Sequence, residues 1–133
     1  MVNKRAVSPS LEDYLETILV ISEQNEKVRI TDLAAALDVA KSSVHQAISR
    51  LKEADLVIQE KYGPVDLTDM GRQKAQMIRE KHEILVSFFV DVLGVDQDTA
   101  HKDACLIEHS ISVVTIEKLI EFLKNFKLNS CTD

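Results

Sequence analysis

The sequence predicts a mainly α-helical chain interrupted once by a short β-hairpin, and three observations lead there. Apolar residues recur at helical spacing over most of the length. Only three glycines and two prolines punctuate the 133 residues. One stretch, Leu56 to Leu67, changes to two short extended runs around Lys61-Tyr62-Gly63-Pro64, which reads as strand, turn, strand. The composition is 45% apolar and 29% charged, with no apolar run near the roughly 20 residues that span a bilayer, so membrane insertion is excluded. The first seven residues carry Lys4 and Arg5 and lack the apolar stretch of a secretory signal. A cytoplasmic protein is expected, with Cys105 and Cys131 as reduced thiols.

Taken in order, a first helix begins at Ser10, after Pro9 and with Asp13 three residues on, and runs through Leu11, Leu15, Ile18 and Leu19 to about Asn25. Residues 1–8 read as a flexible arm. A short second helix spans about Thr31 to Leu37, and a third runs from Lys41 to Ala54. Thr68 can cap the fourth, which continues from Asp69 to Leu93, about 25 residues or roughly 37 Å, with Gly94 suited to its C-terminal cap. Asp96 to Ser110 forms a fifth helix and Ser112 to Phe126 a sixth, after which the chain frays. The expected domains are residues 1–71 and 72–133.

Charge narrows the function. Sixteen Lys and Arg against 22 Asp and Glu give a net −6, divided as −3 on either side of Leu67. A nucleic-acid binder of this kind needs a local basic patch or something that cancels negative charge. Such a patch has a frame: from Ile30, ITDLAAALDVAKSSVHQAISRLKEADLV places Leu33, Leu37, Val39, Val44, Ile48 and Leu51 where two short helices pack across a tight turn. This is the helix-turn-helix pattern, and the hairpin that follows is a wing. Burying Val44, Ile48 and Leu51 turns Ser42, His45, Gln46 and Ser49 outward, with Gln46 the best base reader. Lys41, Arg50 and Lys52, with Lys61 in the wing, are candidates for phosphate contact, and Ser43 is a further DNA-binding candidate. The plain alternative is a helical pair that only packs.

A second constellation lies on the fifth helix. His101, Cys105, Glu108 and His109 fall at i, i+4, i+7 and i+8, within about 100° of arc, and they are transition-metal ligand types. Taken singly, Cys105 reads as a small buried residue, and Glu108 and His109 as a solvated edge. Asp13 and Glu16 lie one turn apart on the first helix, where Ser10-x-x-Asp13 also matches a capping box. His82, midway along the fourth helix, is by itself an ordinary packed or exposed histidine.

Ser8-Pro9-Ser10-Leu11-Glu12-Asp13-Tyr14-Leu15-Glu16, the winged-helix segment, Leu67-Thr68-x-x-Gly71, Lys81-His82-Glu83 and Asp103-Ala104-Cys105-x-x-Glu108-His109-x-x-Ser112 together resemble the diphtheria toxin repressor and manganese transport regulator family. The resemblance covers about Ser8 to Phe126. It implies a mainly α fold, a winged helix-turn-helix domain followed by an α-helical metal-binding and dimerisation domain, without the SH3-like third domain of longer members. It implies a homodimeric repressor, activated by divalent metal, on a palindromic double-stranded DNA operator. One metal position would draw on Asp13, Cys105, Glu108 and His109. A second would use His82, with Glu16 and Glu108 on the manganese-regulator pattern or His101 on the iron-type pattern. The chain departs from both: manganese regulators have Glu in place of Cys105, whereas iron-type repressors have Met in place of Asp13 and a second-site Glu in place of Val86. A thiolate moves preference away from Mn²⁺, so Fe²⁺ is expected first and Mn²⁺ next.

The mechanism implied is a cation that joins the acids of the first helix to the fifth, setting the recognition helices of a dimer about one DNA turn apart, roughly 34 Å. Two rivals stand beside it. One is a winged-helix regulator that answers to a small molecule or a protein, and the other is a metal hydrolase with Glu108 as general base.

Overall fold

A computed structural model describes residues 9–24 and 27–131. The expected arm at residues 1–8, the first helix's end at Asn25 and the chain's last two residues lie outside them. The described chain folds as α1 (Leu11–Gln24), α2 (Ile30–Leu37), α3 (Lys41–Glu53), β1 (Val57–Gln59), β2 (Val65–Leu67), α4 (Asp69–Ser87), α5 (Gln97–Ile107) and α6 (Val113–Cys131), with a π-helical turn at Phe88–Val92. Two compact units divide between Met77 and Ile78, inside α4.

In the first unit, α1 starts on a reciprocal cap: the Ser10 backbone N–H donates to Asp13 Oδ2 at 2.8 Å, and Asp13 N–H donates to Ser10 Oγ at 3.1 Å. Asp38 ends α2 in the left-handed region at φ 55°, which aspartate tolerates, and the chain turns directly into α3. Leu15, Ile18, Leu19, Leu33, Val44, Ile48 and Leu51 fill the core between the three helices. Each such burial is worth about 1.5–3 kcal/mol relative to exposure. Strands β1 and β2 pair antiparallel, Val57 with Leu67 and Gln59 with Val65, and the Val65 N–H donates to the Val28 carbonyl at 2.8 Å. That bond ties the wing's root to the α1–α2 junction. Thr68 Oγ1 accepts from the Gly71 N–H at 3.0 Å and donates to the Asp55 carbonyl at 2.7 Å, so the expected cap of α4 is also a link to the end of α3. Gly71 lies so close to Leu56 that a Cβ there would collide with the Leu56 carbonyl oxygen.

In the second unit, Leu85, Ala104 and Ile116 form the centre of a smaller core, with Phe89, Ile107, Leu119 and Ile120 packed against it. Asp96 caps α5 by accepting from the Thr99 N–H at 3.0 Å, and Ser112 Oγ accepts from the Thr115 N–H at the start of α6. Gly94 takes φ 75° after the fourth helical segment, as its C-terminal position requires.

Two expectations are corrected. The fourth helix is not α-helical to Leu93: from Phe88 it widens, with the Leu93 N–H on the Phe88 carbonyl at 3.2 Å. One turn is too short for apolar spacing to separate i→i+4 from i→i+5 bonding. The sixth helix continues past Phe126 to Cys131, because neither glycine nor proline follows to stop it.

Candidate metal centre and nucleic-acid interface

In the second unit, α4 supplies His82, α5 supplies His101 and Cys105, and Glu108 and His109 follow at the end of α5. His82 sits at the centre. Its Nδ1 is 2.9 Å from Glu108 Oε2 and 3.9 Å from Cys105 Sγ, and its Nε2 is 3.0 Å from His101 Nδ1. His109 Nε2 lies 3.5 Å from Glu108 Oε1. One ligand atom each from His82, Cys105 and Glu108 fall within 4.8 Å of one another, a spacing that a single ion can bridge.

Burial sorts these donors. Glu108 is 1% exposed, and its Oε1 makes no hydrogen bond among the described residues. A buried carboxylate with an unsatisfied oxygen is costly unless a cation faces it. Cys105 is exposed, because Ala104 takes the buried position beside it. The plain readings of Cys105 as a buried filler and of Glu108 as a solvated edge are therefore both wrong. Hydrogen bonding to Cys105 and then to Glu108 raises His82 to about 10, against the burial that would lower it. The proton held there marks where positive charge is favoured. The residues present fit a divalent transition metal: imidazole, thiolate and carboxylate converge on one buried, undersatisfied anion.

Beside His82 and His101, a recess of about 220 Å³ is walled by Val86 and Val90, with Glu83 and Asp91 at its edge. Val86 brings no donor to it. Asp13 and Glu16 lie on α1 in the first unit, Asp13 in the Ser10 cap already described.

The first unit places every expected DNA-facing residue outward. Lys41, Ser42, Ser43, His45, Gln46, Ser49 and Arg50 are exposed on α3, and Lys61 is exposed on the wing, while Val44, Ala47, Ile48 and Leu51 are buried. Helix α3 stands as a ridge between two recesses. One, about 400 Å³, is lined by Ser43, Gln46 and Arg50 with Pro9, Leu11 and Tyr14. The other, about 680 Å³, lies between His45 and Lys52 of α3, the wing, and Lys27 and Arg29 before α2. Lys27 and Arg29 were missed in the sequence because they belong to no helical face; the signal was two cations beside the Val28 that roots the wing.

A winged helix with a polar ridge, joined to a helical half whose transition-metal donors gather on one buried carboxylate, defines a metal-responsive DNA-binding regulator. Comparison with known proteins agrees. Residues 6–65 match the N-terminal DNA-binding domain of the iron-dependent repressors, and residues 68–133 match their metal-binding and dimerisation domain. The chain belongs to this family of metal-dependent transcriptional repressors. It is 38% identical over 122 residues to an uncharacterised HTH-type transcriptional regulator of Methanocaldococcus jannaschii, covering 91% of this chain and 98% of that one. It is 34% identical over 122 residues to the HTH-type transcriptional regulator MntR of Shouchella clausii, covering 92% and 85% respectively. Among solved structures, the manganese regulator SloR superposes with a TM-score of 0.80 at 31% identity; the match covers 89% of this chain and 55% of that longer one. No helix among the described residues is long and apolar enough to cross a membrane.

Proposed function

We propose that this protein is a homodimeric repressor that binds a palindromic operator when Fe²⁺, or next Mn²⁺, occupies a site built on His82, Cys105 and Glu108. The observation that carries the reading is the buried Glu108 carboxylate, unsatisfied at Oε1 and flanked by an imidazole and a thiol. His109 adds a donor beside Glu108 Oε1, whereas His101 meets His82 at Nε2 rather than at the Nδ1 that faces Cys105 and Glu108, so it would serve a second position. On the resemblance alone, Asp13 would join Cys105, Glu108 and His109 in one position, and Glu16 would join His82 and Glu108 in a second. The preference for iron rests on Cys105: manganese favours oxygen donors, and a thiolate suits Fe²⁺ better.

His82, Cys105 and Glu108 would hold the divalent ion, and His82 would have to give up its proton to serve as a donor. Gln46, with Ser42, His45 and Ser49, would read base edges from α3, while Lys41, Ser43, Arg50 and Lys61 would hold phosphates. Metal and operator are then linked reciprocally, and a coupling of about 1–3 kcal/mol corresponds to a change of roughly 5- to 150-fold in DNA affinity. Neutralising site carboxylates also reduces the −6 charge that opposes approach to DNA.

The test is operator selection from random duplex under anaerobic conditions, followed by binding titrations with Fe²⁺, Mn²⁺ and Zn²⁺ and with EDTA. Metal-dependent retention of a palindrome, tightest with Fe²⁺, is the expected result. Affinity indifferent to EDTA overturns the metal switch in favour of a regulator that responds to a small molecule or a protein.

A further inference from the structure

The wing tip carries a side chain that the fold does not use. Tyr62 is 94% exposed and packs into no core of the first unit. Its backbone is left-handed, φ 59°, a conformation that costs an L-residue roughly 1–2 kcal/mol and that glycine adopts freely. Glycine is present in the same turn, but one residue later, at Gly63. The two other non-glycine residues with positive φ among those described are Asp38 and Asp55, whose short polar side chains tolerate it. A bulky aromatic at such a position is doubly disfavoured: the backbone is strained and the ring stands in water.

The backbone of the turn that carries the ring is itself pinned. The Gly63 N–H donates to the Glu60 carbonyl at 2.8 Å, and Gln59 Nε2 donates to the Gly63 carbonyl at 2.9 Å. Lys61 Nζ lies 5.5 Å from the centre of the Tyr62 ring. Tyr62 also borders the 680 Å³ recess lined by four cations, Lys27, Arg29, Lys52 and Lys61, against one acid, Glu60, with His45 beside them. In a chain of net charge −6, that grouping of cations next to the recognition helix is a local field of the sign DNA requires.

We infer that Tyr62 is a DNA contact residue: its ring packs on the deoxyribose edge of the strand whose phosphates the recess cations hold. The inference rests on the DNA-binding reading of the first unit and adds an uncharged, apolar contact to it. Aromatic surface at the tip contributes binding that does not depend on counterion release, whereas the surrounding cations contribute binding that does. Tyr62 and Lys61 therefore differ in what salt does to their contribution.

The experiment measures binding of the full-length, metal-loaded protein to a mixed-sequence B-DNA duplex long enough to meet both subunits, across a series of salt concentrations. Tyr62→Ala is expected to weaken binding by about fivefold to tenfold with an unchanged salt slope. Lys61→Ala is expected to lower the slope by about 0.9. Tyr62→Phe keeps the ring and should bind as the wild type does. Tyr62→Gly relieves the backbone and should raise the unfolding midpoint while still weakening DNA binding, which separates the contact from any effect on folding. Wild-type affinity in both Tyr62→Ala and Tyr62→Gly overturns the inference and leaves the DNA-binding reading intact. Failure of the metal-loaded wild type to bind duplex DNA overturns both.

Discussion

Replacing Glu108 by glutamine keeps the shape of the buried side chain and removes its charge. In the metal-free protein two effects oppose each other. The charge-assisted bond from His82 at 2.9 Å is weakened, a loss of about 1.5–3 kcal/mol, while replacing a desolvated carboxylate by a neutral amide returns about 1–3 kcal/mol. Metal-free stability should then change by about 1 kcal/mol or less. With metal the balance is one-sided. At a metal concentration of about 100 times the wild-type Kd, binding adds about 2.7 kcal/mol to stability. Loss of a carboxylate donor that lowers affinity by about 100-fold brings that concentration down to the variant's own Kd and leaves about 0.4 kcal/mol. Urea unfolding with EDTA and with Mn²⁺, or with Fe²⁺ under anaerobic conditions, reads both numbers on the same sample. Equal stabilisation of wild type and Glu108→Gln by metal would refute the placement of the ion at this carboxylate.

Other expectations follow from the same geometry. Gly71→Ala forces a methyl group onto the Leu56 carbonyl and should destabilise the first unit by about 1–3 kcal/mol, seen as a lower melting temperature; an unchanged melting curve would contradict the close approach. His82 is raised from 6.5 to about 10, so its contribution to metal-free stability is complete below about pH 6.5 and is lost as pH rises towards 10. The urea midpoint in EDTA should therefore fall between pH 6.5 and 9.5 more steeply in the wild type than in His82→Gln, and parallel falls would remove His82 as the cause. Gln46→Ala should narrow the gap between operator and random DNA, whereas Arg50→Ala should weaken both about equally; identical patterns in competition assays would cancel the division of roles. Cys105→Ser should shift metal preference towards Mn²⁺ in metal-titrated DNA binding, and an unchanged order would show that the thiol is not a ligand.

Apolar spacing in the sequence determined the first unit almost completely. Val44, Ile48 and Leu51 share a face because helical geometry leaves no other arrangement, and the outward positions of His45, Gln46 and Ser49 follow from it. The wing was equally legible, since Gly63-Pro64 and two short apolar runs are local signals. The stripe His101, Cys105, Glu108 could be read from the period of α5, but its chemistry could not. Burial of Glu108, exposure of Cys105 and the approach of His82 from α4 depend on how separate helices pack, and spacing within one helix carries no information about that. The π-helical turn at Phe88–Val92 and the strain at Tyr62 belong to the same category. Local periodicity assigns a residue to a face; only tertiary contacts decide what that face meets, and with it whether a carboxylate is solvated or left needing a cation.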